Sequence, residues 1–293
     1  MSLCCIIGTF TSEKISKIRW KHEDFTEAKS FLTGSWDNPV MYSQIQVSFF
    51  LFLSSAFTFV INLGLYRFEY SRTLDNASCT ALATFKQDIV SVGEDGAINL
   101  YCRYTNVVQW SDNADSCSLY CVDFLRHNEI LTGNLRGHMK LWDLRNDNNT
   151  PATTFMLSDQ LKVQVPSIAH HPTQRHIVVA GGGDGSLTVW DLRQNTYPMS
   201  QLNAHAESVS EVLFHPDRPE NLITCSISGE LWHWNSTQSS KLKLGNFRLR
   251  PAVNVSALCA PMHKPVNSID IDRSTLLFGC DNEAMYMIRN ITV

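Results

Sequence analysis

Four segments of the chain repeat one pattern: glycine, any residue, an apolar residue, any residue, an apolar residue and an aromatic one. This alternation of apolar and polar residues is typical of a β-strand that turns one face towards a core. Another apolar run stands before each glycine, and a turn at the glycine would pair the two runs as a hairpin. The segments begin at Gly96, Gly137, Gly185 and Gly229 and end at Tyr101, Trp142, Trp190 and Trp234, and His233 alone departs from the apolar positions.

The spacing of these glycines indicates a repeat fold. They lie 41, 48 and 44 residues apart, and repeats of such a length are supersecondary units that stack around a continuous core. Asp95-Gly96 and Asp184-Gly185 predict tight turns, because glycine adopts the positive φ that a short hairpin turn requires. No long stretch shows the helical period. The sequence therefore predicts an all-β fold built from repeated antiparallel sheets.

Two of the segments end in the dipeptide after which a repeat family is named. Trp142-Asp143 and Trp190-Asp191 are each followed by leucine, and His205 follows an alanine where that family usually has glycine. The units resemble the WD40 repeat, whose blades repeat at about 40–45 residues. The resemblance implies a β-propeller, seven-bladed in the family. We predict five clear blades here and a partial N-terminal one, with residues 4–13 adding the closing strand to the last blade.

Several short motifs narrow the resemblance. It covers residues 12–38 and most of residues 77–293, and it fails at residues 39–76. Over the matching parts the chain is similar to the family of forty-three-kilodalton WD-repeat nucleoporins. The motifs are residues 12–20, 33–38, 92–100, 112–116 and 129–132, the GGGDG run before Trp190, and residues 214–216 and 281–286.

The resemblance to these nucleoporins implies a function. It implies a non-enzymatic scaffold subunit of the Y-shaped, outer-ring complex of the nuclear pore, which docks through its propeller onto an α-solenoid nucleoporin of the short arm. It also implies a role in pore assembly and nucleocytoplasmic transport. The expected localisation is peripheral at the nuclear envelope, with kinetochores in mitosis. The family has no catalytic residues to carry over.

The residues that we single out are structural positions of the blades, and the partner-binding residues stay unassigned. The resemblance implies that His205 belongs to a hydrogen-bond network that joins a blade together, usually with an aspartate near the turn. Because Ser228 occupies that turn position, we expect the network to be incomplete there. The structural positions are Gly96, Tyr101, Gly137, Trp142, Asp143, Gly185, Trp190, Asp191, His205, Gly229 and Trp234.

Composition argues against several other functions. The net charge is −4, whereas nucleic-acid binders usually carry a basic excess. The nine cysteines include no CxxC pair, so they indicate buried thiols in a reducing compartment. His170 and His171 are strand neighbours that point to opposite faces, which disfavours a shared metal ion. The run from Gly181 to Gly185 lacks the lysine of a phosphate-binding loop. We therefore expect no cofactor, no metal and no small-molecule substrate.

A second function remains open. Both WD dipeptides are followed two residues later by an arginine, Arg145 and Arg193. This WDxR pattern is similar to that of WD40 substrate receptors of cullin-type ubiquitin ligases, in which the two arginines would face the ligase adaptor. The alternative interpretation is that an arginine simply follows the strand.

One segment disturbs the repeat pattern. No charged residue occurs between Asp37 and Arg67, and residues 49–65 are almost wholly apolar. This is close to the length of a membrane span, but a span inside a propeller would prevent its closure around one core. Blade strands are a second interpretation. We favour a third, in which residues 39–76 are a gene-model artefact that replaces the rest of blade one and blade two.

Overall fold

The computed structural model describes strands at residues 2–6, 15–21, 29–35 and 41–45, and then most of the chain from residue 79 onwards. The later ranges are 79–85, 88–102, 107–110, 114–146, 150–157, 163–194, 196–236, 254–282, 284–289 and 291. Side chains are described only after residue 79, and not at 101–102 or 107–110. These ranges contain strands, turns and connections but no helix.

The strands form five four-stranded antiparallel sheets and one three-stranded sheet over the described ranges. The three-stranded sheet consists of β2 (Ile15–Lys21), β3 (Lys29–Ser35) and β4 (Met41–Ile45). The next two sheets are β5 (Cys79–Phe85), β6 (Asp88–Gly93), β7 (Ile98–Cys102) and β8 (Val107–Trp110), then β9 (Leu119–Arg126), β10 (Glu129–Asn134), β11 (His138–Asp143) and β12 (Thr153–Met156). They are followed by β13 (Ser167–His170), β14 (Ile177–Gly181), β15 (Ser186–Asp191) and β16 (Ser200–Asn203), and by β17 (Val209–Phe214), β18 (Asn221–Ser226), β19 (Leu231–Asn235) and β20 (Asn254–Ala257). The last sheet joins β21 (Val266–Asp272), β22 (Thr275–Cys280) and β23 (Met285–Arg289) to β1 (Ser2–Ile6).

The sheets close into a ring. The first strand of each sheet contacts the first strand of the next, and β2 contacts both β5 and β21. The N-terminal strand β1 pairs with β23 from Ser2 opposite Arg289 to Ile6 opposite Met285. The predicted propeller, with five clear blades and a partial N-terminal one, is confirmed. The closing strand is also N-terminal as predicted, but it begins at Ser2, and residues 7–13 of the predicted strand lie outside the described ranges.

Apolar side chains fill the space between neighbouring sheets. Trp142 and Trp190 are each 1% exposed, and the ring of Phe155 packs edge-on against Trp190 with centroids 5.8 Å apart. Trp142 belongs to a cluster that also contains Ile98 of the preceding sheet and Phe124 of its own. Replacing such a buried aromatic side chain by alanine typically costs about 3–5 kcal/mol. Trp142 and Trp190 are therefore core residues that hold adjacent blades together.

The segment at residues 39–76 is described only in part. Its strand Met41–Ile45 pairs with β3, with Lys29 opposite Ile45 and Thr33 opposite Met41. Residues 39–40 and 46–76 lie outside the described ranges. The backbone of residues 41–45 therefore takes part in the first sheet.

Candidate functional site

The repeat glycines lie in the turns between the second and third strands of four sheets, and we call the end of the ring with these turns the glycine face. At Gly185, φ is 82°, a conformation that other residues adopt only at a steric cost. A Cβ at Gly185 would lie 2.2 Å from the carbonyl oxygen of His205, and His205 donates its backbone N–H to the Gly185 carbonyl (3.0 Å). Each glycine thus lets the loop before the next sheet approach the turn. Gly96, Gly137 and Gly229 have the same φ region and approach the carbonyl oxygens of Asp115, Val163 and Met262.

The aromatic positions of the repeat differ in their hydrogen bonds. Trp142 donates its indole N–H to Thr132 on the neighbouring strand (2.8 Å). Trp190 instead donates to Thr188 on its own strand (3.2 Å), because Ala180, the residue opposite Thr188, has no hydroxyl group. Tyr101 lies in β7 opposite Ile89, and its side chain is outside the described part. The indoles of Trp142 and Trp190 thus both donate to a threonine hydroxyl group.

Trp234 belongs to a complete network with His205. Its indole donates to Thr224 Oγ1 (2.9 Å), which lies 2.8 Å from His205 Nε2. The other ring nitrogen of His205, Nδ1, lies 3.2 Å from a carboxylate oxygen of Glu230. An ionised carboxylate only accepts, so Nδ1 carries the proton and the Thr224 hydroxyl donates to Nε2. The expectation of an incomplete network is wrong, since Glu230, two residues after Ser228, supplies the carboxylate.

Burial keeps the imidazole of this network neutral. Desolvation lowers the pKa of His205, and the hydrogen bond and charge of Glu230 oppose this only in part. Glu230 has a pKa below its ordinary value because Trp232 and His205 donate to it. Ser228 also bonds to Glu230 and to Ser226. A neutral His205 fits the assigned directions of all three hydrogen bonds.

The sheet of Trp142 has a different polar network between its strands and the preceding loop, and this network was not predicted from the sequence. Asp115 precedes β9 by the same number of residues as His205 precedes β17. Its carboxylate accepts hydrogen bonds from Asn134 (3.0 Å) and Lys140 (2.9 Å). Burial raises the pKa of Asp115, but the bonds from Lys140 and Asn134 outweigh it, so the pKa lies below its ordinary value. Asp115 and His205 stand at the same distance before the first strand of a sheet, and a comparison of these equivalent positions would have identified Asp115 from the sequence.

The WD aspartates form ion pairs with the arginines of the WDxR pattern. Asp143 binds Nε and Nη2 of Arg145 at 2.8 and 2.6 Å. Asp191 binds the same atoms of Arg193 at 2.9 and 2.5 Å. These hydrogen bonds hold the pKa of each aspartate at about 2. The arginine side chains are nevertheless 66% and 68% exposed, so both guanidinium groups are fixed and accessible.

Polar bonds also join the first strands of neighbouring sheets. Asp123 of β9 accepts from the backbone N–H of His170 (2.9 Å) and lies 2.7 Å from its Nδ1. The charge of Asp123 raises the pKa of His170 against the opposing effect of burial. Glu211 of β17 accepts from Ser268 Oγ (2.6 Å) and the N–H of Ile269 (2.8 Å) in β21. The half-buried Asp123 and the buried Glu211 thus tie one blade to the next.

The histidine pair is divided between two roles. His170 pairs with Asp123, whereas His171 Nδ1 accepts backbone N–H groups of Thr173 (3.3 Å) and Gln174 (3.1 Å) in its own turn. Within the described residues, no group of three or more His, Cys, Asp or Glu side chains is placed to hold a metal ion. Those residues also contain no helix of the length and apolarity that crossing a membrane requires; the apolar residues 49–65 are not among them.

Comparison with known proteins assigns the family. The profile of the family "WD domain, G-beta repeat" matches residues 155–191, which run from β12 to the Trp190-Asp191 end of β15. The chain is 30% identical to Nucleoporin Nup43 of Homo sapiens over 98% of this chain and 99% of that protein. The chain belongs to the Nup43 family of nucleoporins. Nup43 of Mus musculus matches to the same extent, and the nuclear pore complex protein nup43 of Dictyostelium discoideum is 31% identical over 51% of this chain and 36% of that protein.

The match to Nup43 confirms the family that the motifs predicted. It also shows a difference in length. The alignment with human Nup43 runs over 376 positions, whereas this chain has 293 residues. Human Nup43 therefore contains residues without a counterpart here, and their number exceeds one blade of about 40–45 residues.

Proposed function

We propose that this chain is a non-enzymatic scaffold subunit of the nuclear pore complex. Identity of 30% to human Nup43 along 98% of the chain is the observation that carries the proposal. Its partner is an α-solenoid nucleoporin in the short arm of the Y-shaped outer-ring complex, and its localisation is the nuclear pore. Roles in pore assembly and nucleocytoplasmic transport, and a location at kinetochores in mitosis, remain predictions from the family resemblance.

The physical chemistry of the ring supports a docking function. The buried polar side chains described above bond to one another across strands and sheets, and they thereby fix the positions of the surface turns. A rigid surface loses little conformational freedom on binding, which improves affinity for a given area. A stable contact with a solenoid partner would bury at least about 1,000 Å² in total.

Affinity purification from cells tests the proposal. The tagged full-length chain should recover nucleoporins of the outer ring, and a fluorescent fusion should form a rim at the nuclear envelope. A Trp190→Ala chain, which loses a core side chain, serves as a control for folding. Recovery of no nucleoporin by a folded chain, together with a diffuse signal, would contradict the proposal.

The ubiquitin-ligase alternative has one observation in its favour. The guanidinium groups of Arg145 and Arg193 are held in the same geometry by Asp143 and Asp191 and are mostly exposed. The same purification discriminates the two functions, because a receptor would recover a cullin adaptor. We expect Arg145→Ala/Arg193→Ala to leave nucleoporin recovery unchanged. Adaptor recovery that this double variant abolishes would favour the alternative.

We further propose that residues 46–76 do not belong to the native propeller. Two observations support an origin of these residues in a gene-model artefact: the loss of resemblance over residues 39–76 and the shorter length of the chain relative to human Nup43. The pairing of Met41–Ile45 with β3 confines the proposal to the residues after that strand. Sequencing of the transcript across residues 38–78 tests it, since a continuous reading frame expressed as written would refute it.

A further inference from the structure

Three adjacent turns on the side opposite the glycine face are tied to one another. They connect the first and second strands of consecutive sheets and contain His171, His215 and Arg273. His215 Nδ1 accepts the backbone N–H groups of Asp217 and Arg218 at 3.2 Å. Its Nε2 must therefore carry the proton, and it donates to the carbonyl of Arg273 in the next sheet (2.8 Å).

The same arrangement continues towards the preceding sheet. His171 bonds within its own turn, and its ring packs edge-on against Phe214 of the next sheet with centroids 5.1 Å apart. A backbone bond then ties each of these turns to the residue after the third strand of its own sheet. The bonds run from Leu192 to His176 (2.8 Å), from Ser236 to Glu220 (3.0 Å) and from Ile291 to Ser274 (3.0 Å). The turns thus form a pre-ordered arc.

Each of the three turns presents an exposed arginine. We call Arg175, Arg218 and Arg273 the arginine arc. Among the residues that the structure describes, the ion pairs on or near this side of the ring are Arg126 with Glu129, His127 with Asp88, Arg145 with Asp143, His170 with Asp123, and Arg193 with Asp191. The arginine arc takes part in none of them. Its guanidinium groups are therefore available to a partner, and arginine is enriched in protein interfaces, whereas lysine is depleted.

The charge distribution favours an acidic protein surface as that partner. On the glycine face, exposed Glu94, Asp95, Asp184 and Glu207 outnumber exposed Arg136 and Lys264 among the described residues, so an acidic partner would be steered away from it and towards the arc. Asp217, Glu220 and Asp272 flank the arc, and with the net charge of −4 they disfavour a polyanion such as nucleic acid, whose binding needs a basic excess. Planar guanidinium groups instead suit bidentate contact with individual carboxylates.

We infer that the arginine arc is a docking surface for an acidic surface of the nucleoporin partner. The inference rests on the proposed function and adds to it the face of the ring that binds and the charge of what it binds. Salt should weaken such a contact, because exposed ion pairs are screened as ionic strength rises.

Matched charge reversals in the full-length chain test the arc. Arg175→Glu/Arg273→Glu reverses two charges of the arc, and Arg136→Glu/Lys264→Glu makes the same charge change at exposed sites of the glycine face. All four residues are exposed, so both variants should melt within about 2 °C of the wild type. Each chain is used to purify partners from lysate with and without nuclease treatment, and captured nucleoporins are quantified at low and high salt.

Five outcomes are distinguishable. The inference requires that the arc variant lose captured nucleoporin at least about tenfold while the glycine-face variant retains it. Equal capture by the arc variant and the wild type overturns the inference and leaves the proposed function standing. Equal loss in both variants also overturns it, because net charge alone would then act. Arginine-dependent capture that nuclease abolishes overturns it in favour of nucleic acid, and no capture of nucleoporins by the wild type removes the proposed function itself.

Discussion

Thr224 is the hub of the network that joins β18, β19 and the loop before β17. It is fully buried, accepts the indole N–H of Trp234 and donates to Nε2 of His205. Thr224→Val keeps the shape of the side chain and removes only the hydroxyl group. The substitution leaves one buried donor and one buried acceptor without their partner.

The expected loss follows from those two groups. A buried polar group that loses its partner costs about 1–3 kcal/mol. Trp234 is only half-buried, so water can replace part of its bond, and the sum is about 2–4 kcal/mol. For a chain of this length, that corresponds to a fall in Tm of roughly 3–7 °C.

Two further variants separate the hydroxyl from other effects. Thr224→Ser keeps both hydrogen bonds and loses one methyl group, which costs about 1 kcal/mol. Thr132→Val removes a single bond, from Trp142 in the neighbouring sheet (2.8 Å), and should cost about 1–2 kcal/mol. Urea denaturation followed by tryptophan fluorescence gives the free energy of unfolding of each variant.

The order of the three variants decides the outcome. Thr224→Val should be the most destabilised, and Thr224→Ser should be close to the wild type. If Thr224→Val were no less stable than Thr224→Ser, the hydroxyl would not be the hub of the network. The assigned directions of the hydrogen bonds would then be incorrect.

Three other predictions concern one close backbone contact and two ion pairs that connect strands or blades. Gly185→Ala places a Cβ 2.2 Å from a backbone oxygen at a φ of 82°, so we expect a loss of more than about 3 kcal/mol, seen as a lower Tm. Asp115→Asn leaves the Lys140 charge without its carboxylate and should cost about 3 kcal/mol; a double-mutant cycle with Lys140→Met should recover most of it, and strictly additive losses would contradict the pair. The pKa of His170 is raised by Asp123, so the stability that this pair contributes is complete below about pH 6.5 and is lost as the pH rises through the folded-state pKa. Urea denaturation of the wild type and Asp123→Asn should therefore give a difference that shrinks from pH 6 to pH 9, and a constant difference would refute the ion pair.

The sequence predicted the blades because their signals are local. Gly137 and Trp142, for example, stand at fixed positions within one hairpin, and their spacing follows directly from the geometry of two paired strands. The first sheet was predicted only as a partial blade, since the resemblance stops at residue 38. Its third strand, Met41–Ile45, carries no repeat motif.

The polar networks around the turns were harder to predict, because different residue types can supply the same hydrogen bonds. Glu230 replaces an aspartate at the position of Ser228, and the two positions differ by two residues. The two positions flank Gly229 in the turn before β19, and Glu230 Oε2 lies 3.2 Å from His205 Nδ1. In the sheet of Trp142, Asp115 stands at the position equivalent to His205, and its ion pair with Lys140 takes the place of a bond between histidine and a carboxylate. A motif search by residue type misses both substitutions.

β1 pairs with β23, so β1 waits for its partner while all the strands between them are synthesised. Ser2 leaves the ribosome about 15–60 s before Arg289, at elongation rates of roughly 5–20 residues per second. Throughout that time β1 is an unpaired edge, which is open to association with other chains. Co-translational folding therefore cannot complete the ring before β23 has left the ribosome. A purification tag is better placed at the C-terminus, because an N-terminal fusion would adjoin the closing strand directly.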